Sequence, residues 1–239
     1  MPQMNKRAAY ADLVQARKAC AVCGAALTNP AQYCGGAHDC DEIGTWSRWR
    51  GDLDAAVMVV GQDWGDVGYF ERNRGLDDPV NPTNVALVAL MREAGIDLGA
   101  ATGVFLTNAI LCLKGGNMQA TVTREWFEAC GPRFLRPLIE LVQPRVLVTL
   151  GAHAYASVAR LYGLERRRFR AAVETPAGIE LPPAGPRLFP MYHCGRRILN
   201  THRGMDAQRT DWRRVGVHLA SQRTRPAARS ADPTRRSSW

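Results

Sequence analysis

Four short runs that are apolar at nearly every position, at 55–61 (AAVMVVG), 104–110 (VFLTNAI), 145–151 (RVLVTLG) and 187–193 (RLFPMYH), constrain this chain more than anything else in it. A strand without a polar face has to be covered on both sides, which is the condition of a parallel sheet buried between helices. The intervening stretches supply those helices. Pro82-Thr83-Asn84 opens a helical pattern that stops at Gly95. Thr123 opens a second, which Pro132 and Pro137 should kink and which Pro144 follows, and 152–162 carries a third. Strands alternating with helices predict a three-layer α/β/α sandwich around a central, mostly parallel four-stranded sheet. At 239 residues the chain is the size of one such domain, expected over 1–219.

Two segments fall outside that core. Residues 20–41 are rich in Cys, Gly and Asn and have little periodicity, so they read as a loop held by something other than packing. Residues 220–239, with arginine, serine and proline but no hydrophobic period, read as a disordered basic tail. The formal net charge is +9, and of 31 basic residues only Lys6, Lys18 and Lys114 are lysine. Arginine forks suit phosphate, and a basic surface favours a polyanionic partner. No apolar run approaches a membrane span and the first residues lack a secretory pattern, so the cytoplasm is the expected compartment. Seven cysteines in such a chain point to metal or reactive thiols rather than to disulfides.

In open α/β sheets the ligand lies beyond the carboxyl ends of the strands. The first predicted strand runs into Gly61-Gln62-Asp63-Trp64-Gly65, the second reaches Asn108 and the fourth ends at His193. A carboxylate, a carboxamide and an imidazole are therefore candidates for one pocket. Singly, each also reads as a turn residue, a strand-end hydrogen bonder or a satisfied histidine.

These ordered motifs resemble the uracil-DNA glycosylase superfamily over roughly residues 20–212. Gly61-Gln62-Asp63 is similar to the first catalytic motif of the family 1 enzymes. Residues 104–112 with Cys130, and 144–151 with Ala154, are similar to the family 4 scaffold. The resemblance implies a DNA glycosylase that initiates base excision repair on uracil and related damaged bases, drawing the target nucleotide out of the strand. It implies that Asp63 holds the attacking water and stabilises the sugar cation, that His193 donates to the departing base, and that Asn108 reads the uracil edge. Gly61, Gln62, Trp64 and Gly65 would line the substrate site, and Tyr69 or Phe70 would stack on the base unless they belong to the core. Two departures stand out. Trp64-Gly65 replace the Pro-Tyr whose Tyr screens out the thymine methyl in family 1, which implies a broader pocket. The His-Pro-Ser of the second motif is replaced by Tyr192-His193-Cys194-Gly195-Arg196-Arg197-Ile198, so His193 is assigned by position, with His202 as its rival. Arg196, Arg197 and Arg203 would meet phosphate.

The cysteines admit two metal readings. Cys20 and Cys23 with Cys112 and Cys130 are similar to the family 4 set for a 4Fe-4S cluster. Cys20, Cys23, Cys34 and Cys40, with His38 as a substitute, form a local zinc set instead. Both use the same first pair, so they exclude one another. Cys194 beside His193 has no companions for a thiol nucleophile. The loop with Arg74, Asp77 and Asp78 has no assigned role. Two other functions remain open at this point: a non-catalytic nucleic-acid-binding module built on a zinc ribbon, and an N-hydrolase of free nucleosides or nucleotides.

Overall fold

The computed structural model describes residues 5–40, 42–43, 51–98 and 103–223. All four apolar runs are strands: β2 (Val57–Gly61), β3 (Val104–Asn108), β5 (Val146–Leu150) and β7 (Arg187–Met191). They are parallel neighbours in the order β3-β2-β5-β7. A fifth strand, β6 (Ile179–Glu180), adds antiparallel to the β7 edge. At two residues, one of them exposed, β6 is too short to leave a hydrophobic period, and the four-stranded expectation misses it for that reason.

Alternate residues of the strands feed two cores. Val57, Val59, Val146, Val148 and Phe189 face α3 (Pro82–Glu93) and α9 (Met205–Arg223), where Leu87, Leu90, Met91 and the fully buried Trp212 meet them. Met58, Val60, Phe105, Leu147 and Leu188 face the opposite layer, formed by α1 (Lys6–Ala19), α4 (Arg124–Cys130), α5 (Arg136–Val142), α6 (Ala152–Leu161) and α7 (Phe169–Val173). This is the α/β/α sandwich. The Pro132 segment leaves the α-helical ladder without ending the helix: residues 131–135 form a π-turn between α4 and α5. Helix α9 runs to Arg223, past the expected domain edge at 219, and the rest of the basic tail lies outside the described residues.

The sheet order reverses at β2, since the chain passes from β2 to β3 on one side and then to β5 on the other. The crevice beyond the carboxyl ends of β2 and β5 is the switch point at which such sheets bind ligands. The Cys-rich loop closes toward it. Its β1 (Leu27–Thr28) pairs antiparallel with β4 (Leu113–Lys114), the short strand that follows β3. The loop at 74–81 serves α3: Asn81 caps its first turn, and the Asn84 carboxamide is held by Asp77 Oδ1 and the Asp78 carbonyl. Among the described residues no helix is long and apolar enough to cross a membrane.

Candidate active site

Strand register brings the first two candidate residues together. Gly61 and Asn108 are partners at the ends of β2 and β3, and a Cβ at position 61 would lie 2.3 Å from Asn108 Oδ1. Glycine is required here because the carboxamide occupies the space of a side chain. Asn108 is 2 % exposed, and among the described residues neither Oδ1 nor Nδ2 has a hydrogen-bond partner. Each such orphan costs about 1–3 kcal/mol of desolvation. A protein keeps that expense where a ligand supplies the missing partners.

Just beyond Gly61 the turn fixes Asp63. Its Oδ1 accepts from the Gly65 N–H at 2.7 Å, and its Oδ2 accepts from Gln62 Nε2 at 2.6 Å. A fourth group, absent from the sequence reading, completes the arrangement: Lys114 Nζ stands 3.1 Å from Asp63 Oδ2 in a pair with side-chain exposures of 4 % and 7 %. The signal that could have found it is weak. Lys114 is one of three lysines in an arginine-rich chain and sits six residues past Asn108.

His193 follows β7 across the crevice. Its Cβ lies 3.7 Å from where a Cβ on Gly151, at the end of β5, would stand, so it leans over the switch point. The Gly195 N–H donates to Nδ1 at 3.0 Å. The neutral ring then carries its proton on Nε2, as a donor. The ring reaches solvent through the open crevice yet is largely enclosed by protein. Burial lowers its pKa from the ordinary 6.5, and the Asp63 carboxylate opposes that shift. The expected NMR titration midpoint of His193 therefore lies below 6.5, and Asp63→Asn moves it lower still by removing the opposing anion. A midpoint above 6.5, or no response to Asp63→Asn, contradicts this arrangement. In linkage terms the unfolded chain takes up the proton first, so the neutral histidine's stability contribution is lost as pH falls below 6.5.

Several candidates lie elsewhere. His202 is exposed at the end of α8 (Arg196–Thr201), with Nδ1 2.6 Å from the Thr201 hydroxyl. Phe70 is a core residue: it is 5 % exposed and packs edge-on against Tyr33 and His38 of the Cys-rich loop. Trp64 faces the same loop in a small cavity with His38, Cys40 and Gly75. Tyr69 turns its hydroxyl toward the Asp78 backbone and Asn81. Arg203 is committed to a bidentate pair with Asp211 at 2.5 and 2.8 Å. Arg196 and Arg197 are exposed beside His193. Cys194 is buried, with its thiol bonded to the Thr83 carbonyl and its pKa pushed up to about 12 by burial. A larger cavity, about 550 Å³, lies at the opposite end of the sheet beside Arg145 and Arg187 and gathers none of the candidate residues.

Cys20, Cys23, Cys112 and Cys130 line one cavity of about 170 Å³ with Leu27, Leu111 and Phe134. Burial and the neighbouring sulfurs push the Cys112 thiol up to about 12 and Cys130 to about 11. The alternative zinc set is not assembled: Cys34 is exposed, and Cys40 lines a different cavity with His38 and Asp39. Among the described residues no three His, Cys, Asp or Glu side chains converge on a point suited to one metal ion.

Residues 49–215 match the family described as the uracil DNA glycosylase superfamily, and the chain belongs to that superfamily. Among its relatives, the chain is 28 % identical over 176 residues to the Type-5 uracil-DNA glycosylase of Pyrobaculum aerophilum, covering 66 % of this chain and 72 % of that protein. It is 34 % identical over 105 residues to the Type-4 uracil-DNA glycosylase of Thermotoga maritima, covering 44 % of this chain and half of that protein. The crystal structure of Pedobacter heparinus SMUG2 aligns with 90 % of this chain and 99 % of its own at a TM-score of 0.46 and 11 % identity.

Proposed function

We propose that this protein is a DNA glycosylase that hydrolyses the N-glycosidic bond of uracil and related damaged bases in DNA, opening base excision repair. The observation that carries the proposal is the Asn108 carboxamide, buried beside the Asp63 turn with both polar ends unpartnered among the described residues. One carboxamide accepts from uracil N3–H and donates to O4, whereas cytosine presents the reverse pattern. Superfamily membership and the two uracil-DNA glycosylase relatives support the same reading.

The geometry supports the following roles. Asp63, already fixed on three sides, holds the attacking water and faces the developing sugar cation. His193 donates its Nε2 proton in a hydrogen bond to the base O2 and stabilises the departing anion without having to be cationic. Gly65 adopts φ +102°, and Met118 Sδ lies 2.7 Å from where its Cβ would be. A flexible, exposed thioether thus roofs the space that an aromatic side chain would close, which favours acceptance of bases substituted at C5. Arg196 and Arg197 suit the flanking phosphates.

The four-cysteine cavity is the place for a 4Fe-4S cluster. The four cysteines line one cavity of about 170 Å³, and four thiolates are the ligand set that such a cubane takes. When bound, such a cluster supplies four iron–thiolate bonds that tie the Cys-rich loop to the core.

The test is base release from a single-stranded oligonucleotide with one deoxyuridine, run beside 5-hydroxymethyluracil, thymine and free deoxyuridine, after recording visible absorbance. Release from the uracil and hydroxymethyluracil oligomers but not from the free nucleoside supports the reading, and a band near 400 nm supports the cluster. Release from free nucleoside alone would make the protein a nucleoside hydrolase. No release from any substrate would leave a binding module.

A further inference from the structure

Lys114 is nearly inaccessible, and an ammonium in that position is tolerated only when paired. Three independent contacts determine where it sits. Its Nζ meets Asp63, its backbone N–H donates to the Gly65 carbonyl at 3.1 Å, and strand β4 pairs it with Leu27 of the Cys-rich loop. The Gly65 contact belongs to a parallel bridge between Lys114 and Asp66. The residue is therefore fixed by the backbone of both segments that it joins, and its side chain reaches inward from a strand that is itself anchored two residues after Cys112.

We propose that Lys114 is the positioning residue of the Asp63 carboxylate, choosing which of its lone pairs is left for the attacking water. The proposal rests on the glycosylase reading of Asp63. A carboxylate offers about four acceptor sites. The Gly65 N–H takes one on Oδ1, Gln62 Nε2 takes one on Oδ2, and Lys114 bridges toward both oxygens at 3.1 and 3.4 Å. With Lys114 at 3.1 Å filling the second site on Oδ2, the site left is the second one on Oδ1, where the lysine stands off at 3.4 Å, and its direction is set by the three donors. Gln62 is adjacent in sequence and moves with Asp63, and the Gly65 N–H belongs to the same turn. Among the described residues, Lys114 alone holds the carboxylate from outside it. Without the lysine the carboxylate can rotate with its turn, and misplacement by about 1 Å costs on the order of 100-fold in rate.

The experiment compares full-length wild type, Lys114→Met and Lys114→Arg in steady-state base release from the deoxyuridine oligonucleotide. In Lys114→Met, kcat is expected to fall about 100-fold with KM within about threefold of wild type, because the lysine touches Asp63 rather than DNA. Lys114→Arg is expected to recover at least about tenfold of that loss, since a guanidinium can still bridge both oxygens. A residue needed only for folding would lower the active fraction without this recovery in the folded protein. Should Lys114→Met not fold, Lys114→Gln, which keeps a donor without the charge, takes its place with the same expected direction. A folded Met or Gln variant with kcat within about threefold of wild type, or a loss carried by KM, overturns the proposal. A wild type that releases no base overturns the glycosylase reading and this proposal with it, so the two failures are distinguishable.

Discussion

Asp63→Asn is expected to lower base release by about 1,000-fold, in the range for loss of a general base or of a charge aimed at the transition state. It is also expected to lower stability. Within the turn the exchange is mild, because asparagine keeps the shape and can still accept from the Gly65 N–H, and that alone predicts little change. The structure changes that expectation. The carboxylate is the partner of Lys114, whose side chain is 4 % exposed, and the exchange strands a buried ammonium. Removing one member of a buried pair costs about 3–5 kcal/mol, and each kcal/mol moves Tm by about 2–4 °C in a domain of this size. A fall in Tm of roughly 6–20 °C is therefore expected by calorimetry. The double variant Asp63→Asn with Lys114→Met separates the two effects. It should regain much of the lost Tm, since no unpaired charge remains, and none of the lost activity. Normal base release by Asp63→Asn would remove Asp63 from the mechanism, whereas a double variant no more stable than the single one would mean that the pair is solvated in solution.

The parts of this molecule that sequence made legible share one property: each is dictated by local chemistry. Runs such as Val57–Gly61 and Val146–Leu150 are apolar at nearly every position because both faces are covered, and all four became neighbours in a parallel sheet. Strand ends could be located from those runs, which placed Asp63, Asn108 and His193 at one end of the sheet. What was not legible depends on contacts between distant segments. Lys114 gains its meaning from a carboxylate 51 residues earlier in the chain. Phe70 and Trp64, aromatic residues beside the Asp63 turn, meet the loop around His38, Phe70 by ring packing and Trp64 across a small shared cavity. Arg203 looked free for phosphate because Asp211, eight residues on, turns back toward it only through the packing of α9. The cysteines lie between these cases. Their spacing left two sets open, and the fold brings Cys112 and Cys130 to Cys20 and Cys23 while leaving Cys34 at the surface.

Exchange of Asn108 for alanine is expected to move activity and stability in opposite directions. On the proposed reading, uracil binding would lose the side chain that pairs with its N3–H and O4 edge, and a site built to hydrogen-bond its substrate loses about 100- to 1,000-fold in kcat/KM when those bonds go. The free protein, however, bears the cost of two buried polar groups without partners. Deleting them removes about 1–3 kcal/mol of desolvation penalty for each, set against the small cavity that the truncation leaves, so Tm should rise by a few degrees. Gly61→Ala approaches the same point from the other side. Its new methyl would stand 2.3 Å from Asn108 Oδ1 and must displace the carboxamide. Activity should fall toward the Asn108→Ala level, while stability falls rather than rises, because the polar groups remain and are now crowded. Few structural residues behave this way, since removing a partner from a satisfied network lowers stability. If Asn108→Ala melts well below wild type, the carboxamide has partners in solution and is a strand-end tie. If it melts higher and still excises uracil at the wild-type rate, the base is read by another group.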